Sequence, residues 1–328
     1  MISINKDKSK FFIAICKQGA HSFLMLGVYD QNQVTHLLCR VGKFFDVPRE
    51  SKSNKCFTSS RLLFNAFFSS STAKIIDEQL FRKTKGEVPI SYQAHDLSYQ
   101  HYLEFIQLLE GLQTDDNAYN CYKPVTVQQS EITLMLTSDL IFTPRTDLED
   151  IIADTSEIRL NNTCRHSAIK LVEEARHASV SSLVSSNFVS DLPYQTRLDF
   201  GKPTSELPFY VLPPPPIAYP DLSVEQRSVV TKLYTRMEHL LLVDPHSELT
   251  KNKFGSLKEL YTEITGPQKD LTLAQLLFSI QSWKEENKST LNVLRKKYFW
   301  DYFFTRVSAT TQLVTEIEQD LEQAQLRN

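Results

Sequence analysis

Within its first 43 residues the chain carries three apolar runs separated by short turns, and this rhythm demands a sheet before anything else is decided. Phe11-Phe12-Ile13-Ala14-Ile15-Cys16 ends at Lys17-Gln18-Gly19-Ala20. His21 to Tyr29 follows, then the loop Asp30-Gln31-Asn32-Gln33, then Val34 to Val41, closed by Gly42-Lys43. Runs this short, rich in β-branched and aromatic residues, read as strands, and connections this short make them antiparallel neighbours. Two of the three hardly alternate between apolar and polar, so they are expected to be covered on both faces.

Register follows from the second turn. Closing it with Tyr29 opposite Val34 puts His21 opposite Gly42, on the same face as His36, Leu38 and Arg40. His36 then falls near Gly27, on the order of 20 Å along the strand from His21, unless a bulge or another pairing shortens the path.

A second feature lies far downstream, at Asn161-Asn162-Thr163-Cys164-Arg165-His166-Ser167-Ala168. Asn162 or Thr163 can cap a helix that opens with Cys164, where about half a unit of positive charge from the helix dipole favours a thiolate. Cys164, Ala168, Leu171, Val172 and Ala175 repeat at three and four residues, so the sulfur shares a face with the residues that bury the helix. A thiolate nucleophile needs an imidazole brought from elsewhere in the chain, and His21, at the head of a strand, is the candidate. His166 points about 160–200° around the helix from Cys164 and is read as a surface residue, as are His177, His95 and His101. Cys121, in Asn120-Cys121-Tyr122-Lys123-Pro124, is the competing nucleophile. Pro124 and the lack of helical periodicity put it in an extended or turn segment without a helix dipole.

These segments resemble a known family. A histidine opening a strand, a next strand carrying Thr35-His36-Leu37, and a later helix beginning Thr163-Cys164-Arg165-His166-Ser167-Ala168 look like the circularly permuted papain-like fold. This is the architecture of NlpC/P60-related and lecithin-retinol acyltransferase cysteine enzymes, whose helix opens Asn-Cys-x-His-Phe-Ala. The order His before Cys marks the permutation. The resemblance implies Cys164 as nucleophile, His21 as base and His36 as the orienting residue. Thr163 departs from the family's Asn, although Asn162 is one place away. The chain is also similar to effectors that intracellular bacterial pathogens send into host cells by type IV secretion. That likeness implies a host protein as substrate or partner and the host cytoplasm as location. The acidic tail Thr315 to Glu322 is compatible with an export signal of that kind.

Composition narrows the alternatives. With 328 residues and 41% hydrophobic content the chain can bury a real core. A net charge of −3, from 36 basic and 39 acidic residues, gives no electrostatic reason to expect nucleic acid. Five cysteines, at 16, 39, 56, 121 and 164, form neither a disulfide framework nor a CxxC pattern, which favours a reducing compartment. No signal-peptide core and no long uncharged apolar run is visible, so neither Sec export nor a membrane span is expected. HExxH, GxxxxGK and GxSxG motifs are absent, and no cofactor or metal is expected.

The remaining chain reads as follows. Ala73 to Phe81 has the spacing of a short helix, and Gly86 to Ala94 is a connection or strand. Leu97 to Leu112 is an amphipathic helix, and Ile132 to Thr137 and Asp139 to Phe142 are strand material. Five prolines between 208 and 216 forbid helix and mark residues 206–220 as a linker between an α+β domain (1–205) and a helical domain (221–328). In the latter, Ser223 and Gln226 resemble a capping box. Helices are expected around Leu257 to Tyr261, Leu271 to Trp283 and Ser289 to Gln325, the last carrying the aromatic cluster Tyr298 to Phe304. The expected fold is α+β, a permuted papain-like domain with an antiparallel sheet followed by helices. Its expected function is Cys-His hydrolysis of a peptide, isopeptide or side-chain amide bond. The rival is a non-catalytic interaction protein on the same fold. Lipid acyl transfer fits less well, because those enzymes need a membrane anchor.

Overall fold

The apolar meander forms as three consecutive antiparallel strands, β1 (Ile2–Asn5) preceding them, β2 (Lys10–Gln18), β3 (His21–Asp30) and β4 (Gln33–Phe45). The computed structural model describes residues 1–46, 71–80, 86–203, 205–266, 271–294 and 306–327. Further strands are β5 (Ser71–Asp77), β6 (Val88–Leu97), β7 (Cys121–Gln128), β8 (Glu131–Thr137), β9 (Glu157–Ile158) and β10 (Tyr194–Leu198). The larger sheet runs β10-β6-β2-β3-β4-β5-β9, with all these neighbours antiparallel, and β1, β8 and β7 form a second antiparallel sheet. The chain is thus α+β, divided into two compact units, Met1–Val211 and Leu212–Asn328.

Continuous burial of β2 and β3 has the expected cause, a cover on each face. Ile13, Ile15, Leu24, Leu26 and Val28 join a core with Tyr102, Phe105 and Ile106 of α1 (Tyr99–Gly111) and Ala168, Leu171 and Val172 of α3 (Cys164–Arg176). Between these helices lies α2 (Glu149–Thr155). On the opposite face Phe12 meets Phe209 at 4.9 Å, and Phe209 stacks on Tyr92 at 4.4 Å. Each fully buried side chain of this kind contributes about 1.5–3 kcal/mol.

Several expectations are corrected. Ala73 to Phe81 does not form a helix: Ser71–Asp77 is a strand paired with Val41 to Phe45 of β4, while Phe81 lies outside the described residues. Ala73 and Ile75 are buried two residues apart, so long-range pairing overrides a local spacing that fitted either structure. Asp139 to Phe142 adds no strand. The N–H groups of Ile141 and Phe142 donate instead to the buried Glu110 carboxylate, each at 3.0 Å. His95 is not on a helix surface; it is buried on β6. The proline-rich linker begins as a strap on the first unit. Phe209 N–H donates to Asn32 O at 2.7 Å, and Tyr210 N–H to the Tyr92 hydroxyl at 2.8 Å. Phe209 and Tyr210 are buried, so apolar burial recruits what proline content alone marked as a spacer.

The second unit is helical: α4 (Val224–Val243), α5 (Glu248–Ile264), α6 (Leu273–Glu286), the short α7 (Lys288–Leu291) and α8 (Ala309–Arg327). The Ser223 capping box forms. Ser223 Oγ accepts from Gln226 N–H at 3.1 Å, and Gln226 Oε1 from Ser223 N–H at 3.0 Å. Val229, Val230, Leu233, Met237, Leu240 and Leu241 make the buried face of α4. The cluster Tyr298 to Phe304 lies outside the described residues. Among the described residues no helix is long and apolar enough to cross a membrane.

Candidate active site

Cys164 is the first residue of α3, and Thr163 is the cap. Thr163 Oγ1 accepts from Arg165 N–H at 3.3 Å, and Nδ1 of His166 accepts from Thr163 N–H at 3.2 Å. His166 therefore fills the place that Glu or Gln takes in an ordinary capping box, a role that reading it as a plain surface residue overlooked. Burial lowers its pKa, which keeps Nδ1 free to accept. Asn162 closes the approach to the helix. Its Nδ2 donates to Asp154 O at 2.7 Å, and buried Lys43 donates to Asp154 O at 2.7 Å and to Asn162 Oδ1 at 2.8 Å. One lysine thus ties the turn before Cys164 to the sheet beneath it.

The sheet brings His21 to this helix end. Packing of α3 across β2, β3 and β4 sets Cys164 beside the start of β3, where the Ser22 N–H points at Sγ from 3.3 Å. His21, one residue earlier, lies close enough to the Cys164 side chain for each group to shift the other's pKa. Its Nε2 is held by Glu78 Oε1 at 2.6 Å. The ring lies between Phe23 and Phe44, with centroids at 5.9 and 4.5 Å. Cys164 keeps partial solvent access, as a nucleophile must, whereas Cys16, Cys39 and Cys121 are buried. Cys121, the competing candidate, opens β7 in the core, and its thiol donates to Tyr119 O at 3.5 Å.

The orienting residue expected from the sequence is corrected. His36 pairs opposite Val28, seven residues and about 23 Å along the strand from His21, and it takes no part in the site. Two register shifts, between Val28 and Tyr29 and between Leu26 and Gly27, also move Gly42 from its expected position opposite His21 to a place opposite Phe23. The partner of His21 is Glu78, one residue past the end of β5.

Glu78 reaches His21 across the whole width of β4, because that strand offers a bare Cα at Gly42. A Cβ there would stand 1.9 Å from Glu78 Oε1 and 2.9 Å from His21 Nε2. Behind the carboxylate, Arg40 forms an ion pair with Oε2 at 2.8 Å; both side chains are 2% exposed, so water screens this charge chain poorly. The guanidinium itself sits over Phe23 at 4.4 Å and over Phe200 at 4.0 Å. The sequence signal for Glu78 was the acidic pair Asp77-Glu78 ending a β-branched segment, and reading that segment as a helix concealed it.

The electrostatics favour an ion pair. Burial alone would pull the His21 imidazole down, but the neighbouring Cys164 side chain, the hydrogen bond to Glu78 and the Glu78 charge outweigh it, raising the ring to about 9. Burial pushes the Cys164 thiol up. The neighbouring His21 ring, the Ser22 N–H and the positive charges of His21 and Arg165 overcome this and hold it below its ordinary value. Arg165 is fully buried and fixed by Ser22 Oγ at 2.8 Å and by Ser185 O and Ser190 O at 3.0 Å. The arrangement can hold a thiolate beside an imidazolium in neutral water. The first-turn N–H of Cys164, which has no acceptor within the helix, can receive a developing oxyanion. No protein-family model, curated protein or solved structure matches this chain.

Proposed function

We propose that this chain is a cysteine hydrolase with a permuted papain-like site, in which Cys164, His21 and Glu78 act as nucleophile, acid-base and orienter. The observation that carries the reading is the setting of His21, with Glu78 on Nε2 at 2.6 Å and the Cys164 thiol close enough to shift its pKa. The Cys164 thiolate adds to an amide carbonyl carbon, and the oxygen takes the electron pair and faces the Cys164 N–H. The C–N bond then breaks as the His21 imidazolium gives its proton to the departing amine, leaving a thioester on Cys164. His21, now neutral, takes a proton from water, and the hydroxide attacks the thioester. The C–S bond breaks, an acid is released and the thiolate-imidazolium pair is restored. Glu78 carries no proton; it fixes the ring and favours its charged form, as a buried carboxylate does for imidazole. A peptide, isopeptide or side-chain amide on a host protein, and delivery by type IV secretion, belong to the same proposal and rest on the sequence resemblance.

An electrophilic thiol probe tests it. At pH 7 Cys164 should label about tenfold or more faster than free cysteine, and His21→Ala should abolish the advantage. Slow labelling with no dependence on His21 would overturn the hydrolase reading in favour of a non-catalytic scaffold that binds a host or effector partner.

A further inference from the structure

The far end of α3 carries a second cluster that the hydrolase reading does not use. His101 and Glu104 stand three residues apart on one face of α1, and the C-terminal cap of α3, His177, meets them there. His177 Nε2 lies 3.1 Å from Glu104 Oε2, and the His101 and His177 rings meet edge to face at 5.3 Å. One ligand atom from each of the three residues lies within 4.8 Å of the others. A tetrahedral ion with bonds of about 2.0–2.1 Å needs its ligands about 3.3 Å apart, so one pair is already at that separation and the others need small side-chain rotations. Glu104 is also held from behind, since Gln100 Nε2 donates to its Oε1 at 3.1 Å and leaves Oε2 to face the imidazoles.

His177 has φ 52°, in the left-handed region, at a helix end where Gly or Asn is the usual choice. That turn swings its ring off the axis of α3 and onto α1. We infer that His101, Glu104 and His177 form a binding site for a divalent transition ion of the zinc class, with water completing its coordination. Two imidazoles and one carboxylate suit zinc, cobalt or nickel and disfavour magnesium or calcium, which prefer oxygen ligands throughout. The 13 residues of α3 place this site about 20 Å from Cys164. The ion is therefore structural: it staples α1 to the helix that presents the nucleophile and does not touch substrate. The inference is independent of the hydrolase proposal.

The test uses the full chain carrying Cys164→Ala, because a reactive thiolate also binds soft ions. Zinc titration followed by calorimetry should show one saturable equivalent at micromolar protein. Cobalt should give visible ligand-field bands without a thiolate charge-transfer band. His101→Ala, Glu104→Gln and His177→Asn should each weaken binding about tenfold or more. Asn tolerates the left-handed cap, so His177→Asn removes the ligand while keeping the turn, and circular dichroism confirms the fold. Zinc should raise Tm in the parent and not in these variants. Absence of saturable zinc binding, or binding unaffected by these substitutions in folded protein, would overturn the assignment.

Discussion

Glu78→Gln removes a single charge from the site while keeping a hydrogen-bonding side chain in place. A full charge about 4 Å from the imidazolium is worth about 4 kcal/mol at an effective dielectric of about 20. Arg40, 2.8 Å from the other carboxylate oxygen, stays in place in the variant, so the loss is softened instead by the amide oxygen that replaces the carboxylate and by the partial exposure of His21. We take about 1.4–2.7 kcal/mol as the remainder, or about one to two pH units. His21, raised to about 9 in the parent, should fall by that amount, and the Cys164 thiol should rise toward its ordinary range as the imidazolium beside it is lost. The assay is alkylation of Cys164 followed by peptide mass spectrometry across pH 5 to 10, with His21 titrated by NMR. At pH 7 the variant should label about tenfold more slowly. Because Glu78 and Arg40 are both buried, the substitution removes the carboxylate facing the guanidinium and destabilises the fold by up to about 3–5 kcal/mol. The double variant Glu78→Gln/Arg40→Met removes the guanidinium as well and places an apolar chain between Phe23 and Phe200, restoring much of the stability, and its labelling should lie between those of the parent and the single variant because one charge of each sign has gone. Labelling within about twofold of the parent in the folded Glu78→Gln protein would refute a role for the Glu78 charge.

Other outcomes follow from the same geometry. His36→Ala should leave Cys164 labelling within about twofold of the parent, since His36 stands opposite Val28, far from the imidazole of His21; a large loss would restore it as orienter. Gly42→Ala puts a Cβ into the path of the Glu78 carboxylate, so it should slow labelling as Glu78→Gln does and cost about 1–3 kcal/mol in urea denaturation. Burial lowers the Lys43 amine to about 8 from its ordinary 10.5, so between those values the folded chain binds fewer protons than the unfolded one. Relative to Lys43→Met, the parent should gain stability as pH rises through that window, by at most about 3 kcal/mol; a flat difference in chemical denaturation would contradict the lysine's buried position.

Some of this molecule was legible in order along the chain. The meander was visible because Phe11 to Cys16 and His21 to Tyr29 carry too little polarity for an exposed face, and Cys164 was visible because a cap, a thiol and an apolar helical stripe coincide. His21 was visible as a lone imidazole at a strand head. His36 was a misreading, because local pattern fixes which face a histidine shares but not how far bulges carry it along the strand. Glu78 was hidden for the opposite reason. Nothing within ten residues of it distinguishes a strand end from a helix, and its function comes from a glycine on one neighbouring strand and a histidine on the next.

By itself, then, the sequence determined the antiparallel sheet, the capped helix that opens with Cys164 and the helical second unit, since periodicity, capping and turn length act between residues close along the chain. Only the tertiary structure decided which carboxylate meets the imidazole, that the proline-rich segment starts as a strap, and that three surface residues converge at the end of α3. Those outcomes depend on strand order, on two register shifts and on the missing side chain at position 42, which are settled by burial summed over the whole sheet.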